Sequence, residues 1–242
     1  MTGSSAGFRP SSAANTLDFA RFEALTFDCY GTLIDWETGL LATLRPLLRS
    51  RGQSLNDSEI LQMYGELEPK AQDPYRLYRD VLAEVVRGFG QRLGFRVSPG
   101  EAESLAESMK NWTAFPDTVR ALEILKRDHK LAIISNTDDD LFAATARHLK
   151  VKFDEVVTAE QAKAYKPSPA PFRLALERLG LSPDRVLHVG QSVYHDVIPA
   201  KSLGMATALV ERRGFGAARP AEGAADLTVP DLQTLASLQA RG

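Results

Sequence analysis

Four short segments of the chain place reactive side chains directly after apolar runs or beside turns. Asp28 ends the first apolar run, Ser135 and Gln191 end two later ones, and Lys166 stands just before a proline-rich turn. A carboxylate at the end of a strand is a structural plug, a metal ligand or a nucleophile. A lysine brought near it by folding would help to keep it ionised.

The pattern of apolar and amphipathic segments predicts how these side chains meet. Residues 23–31 read as a strand buried on both faces, and from residue 115 onward apolar strands alternate with amphipathic helices. This alternation predicts a doubly wound α/β fold with a parallel sheet covered on both faces. Because such sheets bind ligands beyond the carboxyl ends of their strands, we expect the polar strand ends to share one site.

A long helical insertion separates the first strand from the others. Residues 38–112 have helical periodicity, with Asn56 and Ser98 as expected N-caps and Gly52 and Gly94 as expected stops. We therefore predict a flexible tail at 1–20, a core at 21–37 and 113–242, and a helical cap at 38–112.

Composition limits the classes of function. The chain has 242 residues, of which 44% are hydrophobic, and a net charge of −2, so it has no basic surplus for nucleic acid. A single cysteine, Cys29, excludes an intrachain disulfide and fits a cytoplasmic protein. No apolar run approaches the length of about 18 residues expected of a membrane span. The expected partner is a small-molecule substrate, and the sequence leaves a homodimer open.

The predicted sheet edge combines a nucleophile with groups that bind anions. Asp28 stands where a carboxylate can attack, and Lys166 can pair with it. Thr32 and Ser135, together with backbone N–H groups, can hold an anionic group. Asp196 can orient Lys166, position a water or bind a metal.

The ordered segments FDCYGTLID, ISNT, YKPSPAPF and HVGQSVYHD resemble the four motifs of the haloacid dehalogenase superfamily. The resemblance implies a Rossmann-like core, a helical cap over the active site and a nucleophile at Asp28. Tyr30 stands where phosphatases of this superfamily usually have an acid, and Gln191 where they usually have an aspartate. A halide leaves without the proton donor that an alkoxide needs, and losing a carboxylate weakens a magnesium site. The chain therefore resembles the type II (L-2-haloacid) dehalogenase branch.

This branch implies a hydrolase without a cofactor. Asp28 would displace halide from C2 of a short 2-haloacid, and water would then cleave the resulting ester. His195 is a candidate to activate that water, because histidine as a residue type titrates near neutral pH. The resemblance and the residues together nominate as substrate-binding side chains Tyr30, Thr32, Ser135, Asn136, Gln191 and Ser192.

The chain departs from the branch in its cap. The branch uses an arginine there to bind the leaving halide, but the corresponding stretch reads LQMYGELEPK. This leaves as candidates Arg45, Arg49, Arg76 and Arg79. Trp36 and Tyr64 are expected to be packing residues rather than substrate contacts, and the acidic run 138–140 is expected to serve the start of a helix.

Two other functions stay open at this stage. A magnesium-dependent phosphatase acting on a small phosphorylated metabolite would bind its metal through Asp28 and Asp196. The same fold also suits a binding protein without catalytic activity.

Overall fold

A six-stranded sheet forms the centre of the molecule, in a computed structural model that describes residues 17–212 and 222–240. The strands are Ala24–Phe27 (β1), Lys130–Ser135 (β2), Glu155–Thr158 (β3), Val186–Gly190 (β4), Ala206–Val210 (β5) and Leu227–Val229 (β6). Their order is β3-β2-β1-β4-β5-β6, and every pairing is parallel. The predicted doubly wound, Rossmann-like α/β fold is therefore confirmed. The strand order reverses between β1 and β4, which is where such sheets bind ligands.

Helices cover the sheet and form the insertion. Between β1 and β2 lie Trp36–Ser50 (α1), Asp57–Ala71 (α2), Tyr78–Leu93 (α3) and Pro99–Ser108 (α4). The later helices are Thr118–Leu125 (α5), Asp139–Ala146 (α6), Ala159–Ala162 (α7), Ala170–Leu179 (α8), Ile198–Ser202 (α9) and Leu232–Gln239 (α10). Within the described residues, none of these helices has the length and apolar character needed to cross a bilayer.

Local sequence signals set the ends of the insertion's helices. Asn56 and Ser98 each form a capping box with a glutamate three residues later, which satisfies backbone N–H groups at the starts of α2 and α4. Gly94 ends α3 in the left-handed conformation, at a φ of +76°. These caps and this stop were predicted from the sequence and are confirmed.

The predicted tail extends too far into the chain. Residues 1–16 lie outside the described part, but Phe19–Arg21 form a short 3-10 helix. Phe19 is buried against Phe22, with the two rings edge to face at 6.4 Å. Burying a phenylalanine side chain contributes about 2 kcal/mol, enough to hold this segment against the core.

An aspartate of the core caps a helix of the insertion. Asp138 follows β2, and its two carboxylate oxygens accept the backbone N–H groups of Tyr78 and Arg79 at 2.7 and 2.9 Å. The acidic run was expected to serve its own helix, and Asp139 and Asp140 do lie in the first turn of α6. Asp138 instead serves the start of α3, so it ties the insertion to the sheet edge.

We predict that Asp138→Ala lowers the free energy of unfolding by about 1 to 2 kcal/mol, because two N–H groups at the start of α3 lose their acceptor. Urea denaturation of the purified protein measures this loss. Asp140→Ala is the matched control. Its carboxylate is 64% exposed and pairs with Arg79 at the surface, so we expect a loss below about 1 kcal/mol. Equal losses in the two variants would contradict a capping role.

Candidate active site

A cavity of about 120 Å³ lies between the sheet edge and the insertion. Its wall on the core side contains every predicted site residue except Thr32, namely Asp28, Tyr30, Ser135, Asn136, Lys166, Gln191, Ser192, His195 and Asp196. The side chains of the insertion that complete the wall are mostly aromatic: Trp36, Tyr64, Glu68, Pro69, Tyr78 and Trp112. The fold thus brings the polar strand ends together, as the strand pattern predicted.

Lys166 lies between two buried carboxylates. Its Nζ donates to Asp28 Oδ1 at 2.9 Å and to Asp196 Oδ1 at 2.6 Å. The Lys166 side chain is 2% exposed, while those of Asp28 and Asp196 are 11% and 1% exposed. The predicted contact between Lys166 and Asp28 is therefore present, and Asp196 joins it through the same ammonium.

The two carboxylates differ in their pKa. Burial raises the pKa of Asp28 above its ordinary value, and this outweighs the ammonium of Lys166, which acts in the opposite direction. Burial alone would also raise the pKa of Asp196, but Lys166 and a hydrogen bond from His188 hold it well below its usual range. Asp28 is therefore the carboxylate that takes up the first proton as the pH falls.

The lysine remains charged in this environment. Burial alone would lower the pKa of Lys166, but the carboxylates of Asp196 and Asp28 raise it above its ordinary value. Two carboxylates and one ammonium leave the cluster with one excess negative charge when all three are ionised. This excess favours protonation of one of the two carboxylates, and the raised pKa of Asp28 makes Asp28 that one.

Thr32 orients the nucleophile candidate. Its Oγ1 donates to Asp28 Oδ2 at 2.7 Å and accepts the backbone N–H of Gln191 at 3.0 Å. Arg212 in turn donates to the carbonyl of Thr32 at 2.9 and 3.0 Å, and it pairs with Asp117. Thr32, a predicted substrate contact, does not belong to the cavity wall. Its hydroxyl leaves one Asp28 oxygen for Lys166 and holds the other.

Ser135 and Asn136 follow β2 but behave differently. Ser135 Oγ is buried and has no hydrogen-bond partner among the described residues. Asn136 accepts from Lys166 N at 2.7 Å and donates to Lys166 O at 3.1 Å. The amide of Asn136 therefore holds the backbone of Lys166, whereas the hydroxyl of Ser135 makes no such contact.

Tyr30 presents its ring rather than its hydroxyl to the cavity. Its OH donates to Thr145 Oγ1 at 2.9 Å, and its ring lies edge to face with Trp112 at 5.8 Å. Burial raises the pKa of Tyr30 well above its usual value. The position two residues after Asp28 therefore offers an aromatic surface and no acid.

A π-helical turn, Val193–Val197, follows β4 and carries the last site residues. Ser192 Oγ accepts the backbone N–H of His195 at 3.1 Å, and Asp196 Oδ2 accepts that of Ser192 at 3.2 Å. A Cβ at Gly190 would lie 2.5 Å from the Asp196 carboxylate, so this approach requires glycine. The turn directs Asp196 toward Lys166 and places His195 on the cavity wall.

His188 was not identified from the sequence, although it contacts the site. It lies within β4, with Nδ1 2.9 Å from Thr26 Oγ1 and Nε2 3.4 Å from Asp196 Oδ1. Burial lowers the pKa of His188, so its ring is neutral at neutral pH. We infer the tautomer in which Nε2–H donates to Asp196 and Nδ1 accepts from Thr26. A lone histidine inside a fully buried strand was the available signal.

Comparison with known proteins places the chain in a family. The model of the haloacid dehalogenase-like hydrolases matches residues 22–204. The chain belongs to this family. It is 27% identical to (S)-2-haloacid dehalogenase 4A of Burkholderia cepacia over 202 residues, which cover 79% of this chain and 84% of that enzyme.

Two further matches come from different kinds of haloacid dehalogenase-like hydrolase. A structure of L-2-haloacid dehalogenase from Xanthobacter autotrophicus, with chloropropionic acid covalently bound, superposes with a TM-score of 0.77 at 25% identity and covers 91% of this chain and 99% of that one. Glyceraldehyde 3-phosphate phosphatase of Methanothermobacter thermautotrophicus is 27% identical over 198 residues, covering 78% of this chain and 85% of that enzyme. The chain is thus a hydrolase with relatives in both branches.

The expected arginines do not reach the cavity of this haloacid dehalogenase-like hydrolase. Arg45 pairs with Asp57, and Arg79 with Asp138 and Asp140. Within residues 17–212 and 222–240, no arginine belongs to the cavity wall, which corrects the prediction for the candidates Arg45, Arg49, Arg76 and Arg79. The guanidinium groups of Arg45 and Arg79 are used in these ion pairs.

Trp36 and Tyr64 have a second role besides packing. Their rings lie 5.4 Å apart, as packing residues would, but both also line the cavity. The predicted packing is present, and the two rings in addition contribute to the cavity wall. An indole and a phenol each combine an apolar ring with one polar group, which suits a cavity wall as well as a core.

The acidic groups of the site fit magnesium poorly. The ammonium of Lys166 lies between Asp28 and Asp196, and Gln191 carries an amide where a third acid would stand. In the described part of the chain, no group of three His, Cys, Asp or Glu side chains is placed to hold a metal ion. Magnesium prefers oxygen ligands in octahedral geometry, and the lysine takes up the position between the two carboxylates.

We predict that Asp196→Asn lowers the pKa of Asp28, because it removes the negative charge that raises this pKa and leaves Lys166 to Asp28 alone. Carbon-13 NMR of carboxyl-labelled aspartate measures the titration, with the Asp28 signal assigned by its loss in Asp28→Asn. Asp57→Asn, a change at the surface of the insertion, is the control and should leave the titration unchanged. An unchanged or higher Asp28 midpoint in Asp196→Asn would refute the shared-lysine account.

Proposed function

We propose that this protein hydrolyses short 2-haloalkanoic acids to 2-hydroxy acids, with Asp28 as the nucleophile. The observation that carries the proposal is the arrangement around Asp28, whose oxygens are held by Lys166 and Thr32 at 2.9 and 2.7 Å beside a cavity of about 120 Å³. The tyrosine at position 30 offers no acid to a leaving group. A halide needs none, whereas an alkoxide does.

The first step is a displacement at carbon. One Asp28 oxygen attacks C2 of the substrate, a bond forms between that oxygen and C2, and the carbon–halogen bond breaks. The halogen departs as halide with the bonding electron pair, and Asp28 becomes a neutral ester. We assign the donor to the substrate carboxylate to Ser135 Oγ, and its lack of a hydrogen-bond partner among the described residues supports this assignment.

The second step releases the product. Water attacks the carboxyl carbon of the Asp28 ester, and the bond between that carbon and the ester oxygen breaks. One proton of the water passes through a base to the departing alkoxide, which becomes the 2-hydroxy acid, and the regenerated carboxylic acid releases a proton. We assign the base to His195, which lines the cavity, because Asp196 is ion-paired with Lys166 and its lowered pKa makes it a weak base.

The cavity supports a small substrate. A closed apolar cavity of about 150 Å³ holds benzene, which has six heavy atoms. The cavity of about 120 Å³ therefore suits a substrate of about six heavy atoms or fewer. A 2-chloropropionate ion has three carbons, two oxygens and one chlorine, and a chloropropionic acid is the compound bound covalently in the Xanthobacter autotrophicus enzyme.

An isotope experiment tests the ester route. With enzyme in excess over 2-chloropropionate in heavy-oxygen water, we expect the label in the peptide that contains Asp28 and unlabelled oxygen in the first product molecule. Mass spectrometry of the digested protein and of the lactate measures both. Asp28→Asn should release no halide while remaining folded. Label in the product of the first turnover would contradict a nucleophilic Asp28.

Metal dependence separates this proposal from a phosphatase. Because Lys166 supplies the positive charge between the two carboxylates, halide release should be unchanged by a chelator and by added magnesium. A parallel panel of small phosphate monoesters, including glyceraldehyde 3-phosphate, should give no chelator-sensitive phosphate release. Phosphate release that needs magnesium and exceeds halide release would favour the phosphatase instead.

A further inference from the structure

We propose that Trp36 and Gln191 bind the departing halide through their side-chain N–H groups, in the place of a guanidinium. This inference rests on the proposed dehalogenation. As the carbon–halogen bond breaks, a full negative charge develops on the halogen in a cavity of about 120 Å³. Hydrogen-bond donors placed in advance at that position lower the barrier of such a step.

The ammonium of Lys166, which lines the cavity, is already paired with carboxylates. Among the described residues no arginine lines the wall, and Lys166 donates to both Asp28 and Asp196. The cluster of Asp28, Lys166 and Asp196 also has one carboxylate more than it has ammonium groups. The charge of a leaving halide must therefore be met by neutral donors.

Trp36 and Gln191 direct two such donors to one place. A Cβ built on Gly31 would lie 2.6 Å from Gln191 Nε2 and 3.1 Å from Trp36 Nε1, so the two nitrogens are at most 5.7 Å apart. Two N–H groups that share one acceptor at about 3 Å each are separated by about 6 Å or less. One halide is therefore able to bridge them.

The position of these donors follows from the loop after Asp28. Gly31 lies three residues beyond the nucleophile and has a φ of +104°, a conformation that favours glycine. Its missing side chain leaves room for the two nitrogens beside the backbone of this loop. Both residues line the same cavity as Asp28.

Both donors are held but unused. The ring of Trp36 packs against Tyr64 at 5.4 Å, and the backbone of Gln191 is fixed by Thr32 at 3.0 Å. Neither side-chain N–H donates to another residue in the described part of the chain. Trp112 provides a contrast within the same wall, because its Nε1 already donates to Ser108 Oγ at 3.0 Å.

The choice of leaving group tests this inference. We expect Trp36→Phe and Gln191→Leu each to lower kcat/KM for 2-chloropropionate about tenfold, as the loss of one useful hydrogen bond does. The loss for 2-bromopropionate should be smaller, because the charge on bromide is more diffuse. Gln62→Leu, at an exposed position of α2, is the matched control and should change neither value.

The ratio between the two substrates separates halide binding from a general structural defect. A defect in folding or in Asp28 lowers both rates equally and leaves the ratio unchanged, and that result would overturn the inference. Gln191→Glu provides a second variant of nearly the same shape. It replaces the donor with a negative charge, so its loss for the chloro substrate should exceed that of Gln191→Leu.

A binding measurement keeps this inference distinct from the proposed function. Bromide titrated at constant ionic strength should quench tryptophan fluorescence saturably in the wild-type protein. The saturable phase should be lost in Trp36→Phe and weakened at least tenfold in Gln191→Leu, which retains both tryptophans. Saturable quenching without turnover of any 2-haloacid would refute the proposed function and support the halide site. If the wild-type protein turns over 2-haloacids and the two variants have unchanged rates and bromide binding, the proposed function is supported and the halide site is overturned.

Discussion

One buried ammonium shared by two carboxylates is the interaction on which the rest of the site depends. Moving an ion out of water costs several kcal/mol even after relaxation, so Asp28 and Asp196 are stable together only because Lys166 lies between them. The surrounding residues serve this arrangement: Thr32 holds the second oxygen of Asp28, His188 supports Asp196, and Asn136 holds the backbone of Lys166. The parallel order of β2, β1 and β4 brings their ends close enough for all of these contacts.

The sequence predicts the parts of this arrangement that depend on strand ends. Asp28 and Gln191 follow apolar runs, and in a parallel sheet such residues must meet at one edge. The sequence also predicts that Lys166 lies beside Asp28, because opposite charges that are buried at the same sheet edge form an ion pair. His188 was not identified by the same reasoning, because a histidine within a buried strand indicates a buried polar contact but does not say with which residue. Its partner Thr26 lies at the same register of β1, which only the pairing of β1 with β4 reveals.

Local sequence patterns also do not predict the contacts between the core and the insertion. Asp138 looks like the start of its own helix, and nothing nearby in the chain indicates that it accepts from the first turn of α3. Trp36 has a large aromatic side chain of the kind that usually packs in a core, and its ring does pack against Tyr64. Whether its N–H faces the core or the cavity depends on how the insertion sits on the sheet. That orientation is a tertiary property, which local sequence patterns do not report.

The two departures from the phosphatase pattern are parts of one electrostatic change. The cluster already has one more carboxylate than ammonium, and burial raises the pKa of Asp28. An aspartate at position 191 would add a third negative charge to the same cavity and raise that pKa further, unless a metal ion neutralised it. The amide of Gln191 removes the repulsion with Asp28 and therefore the need for a metal ion. It also supplies an N–H donor, whereas a carboxylate would supply only acceptors. An acid at position 30 would again add negative charge beside Asp28. The tyrosine and the glutamine therefore belong together, because each keeps Asp28 able to ionise with Lys166 as its counter-charge.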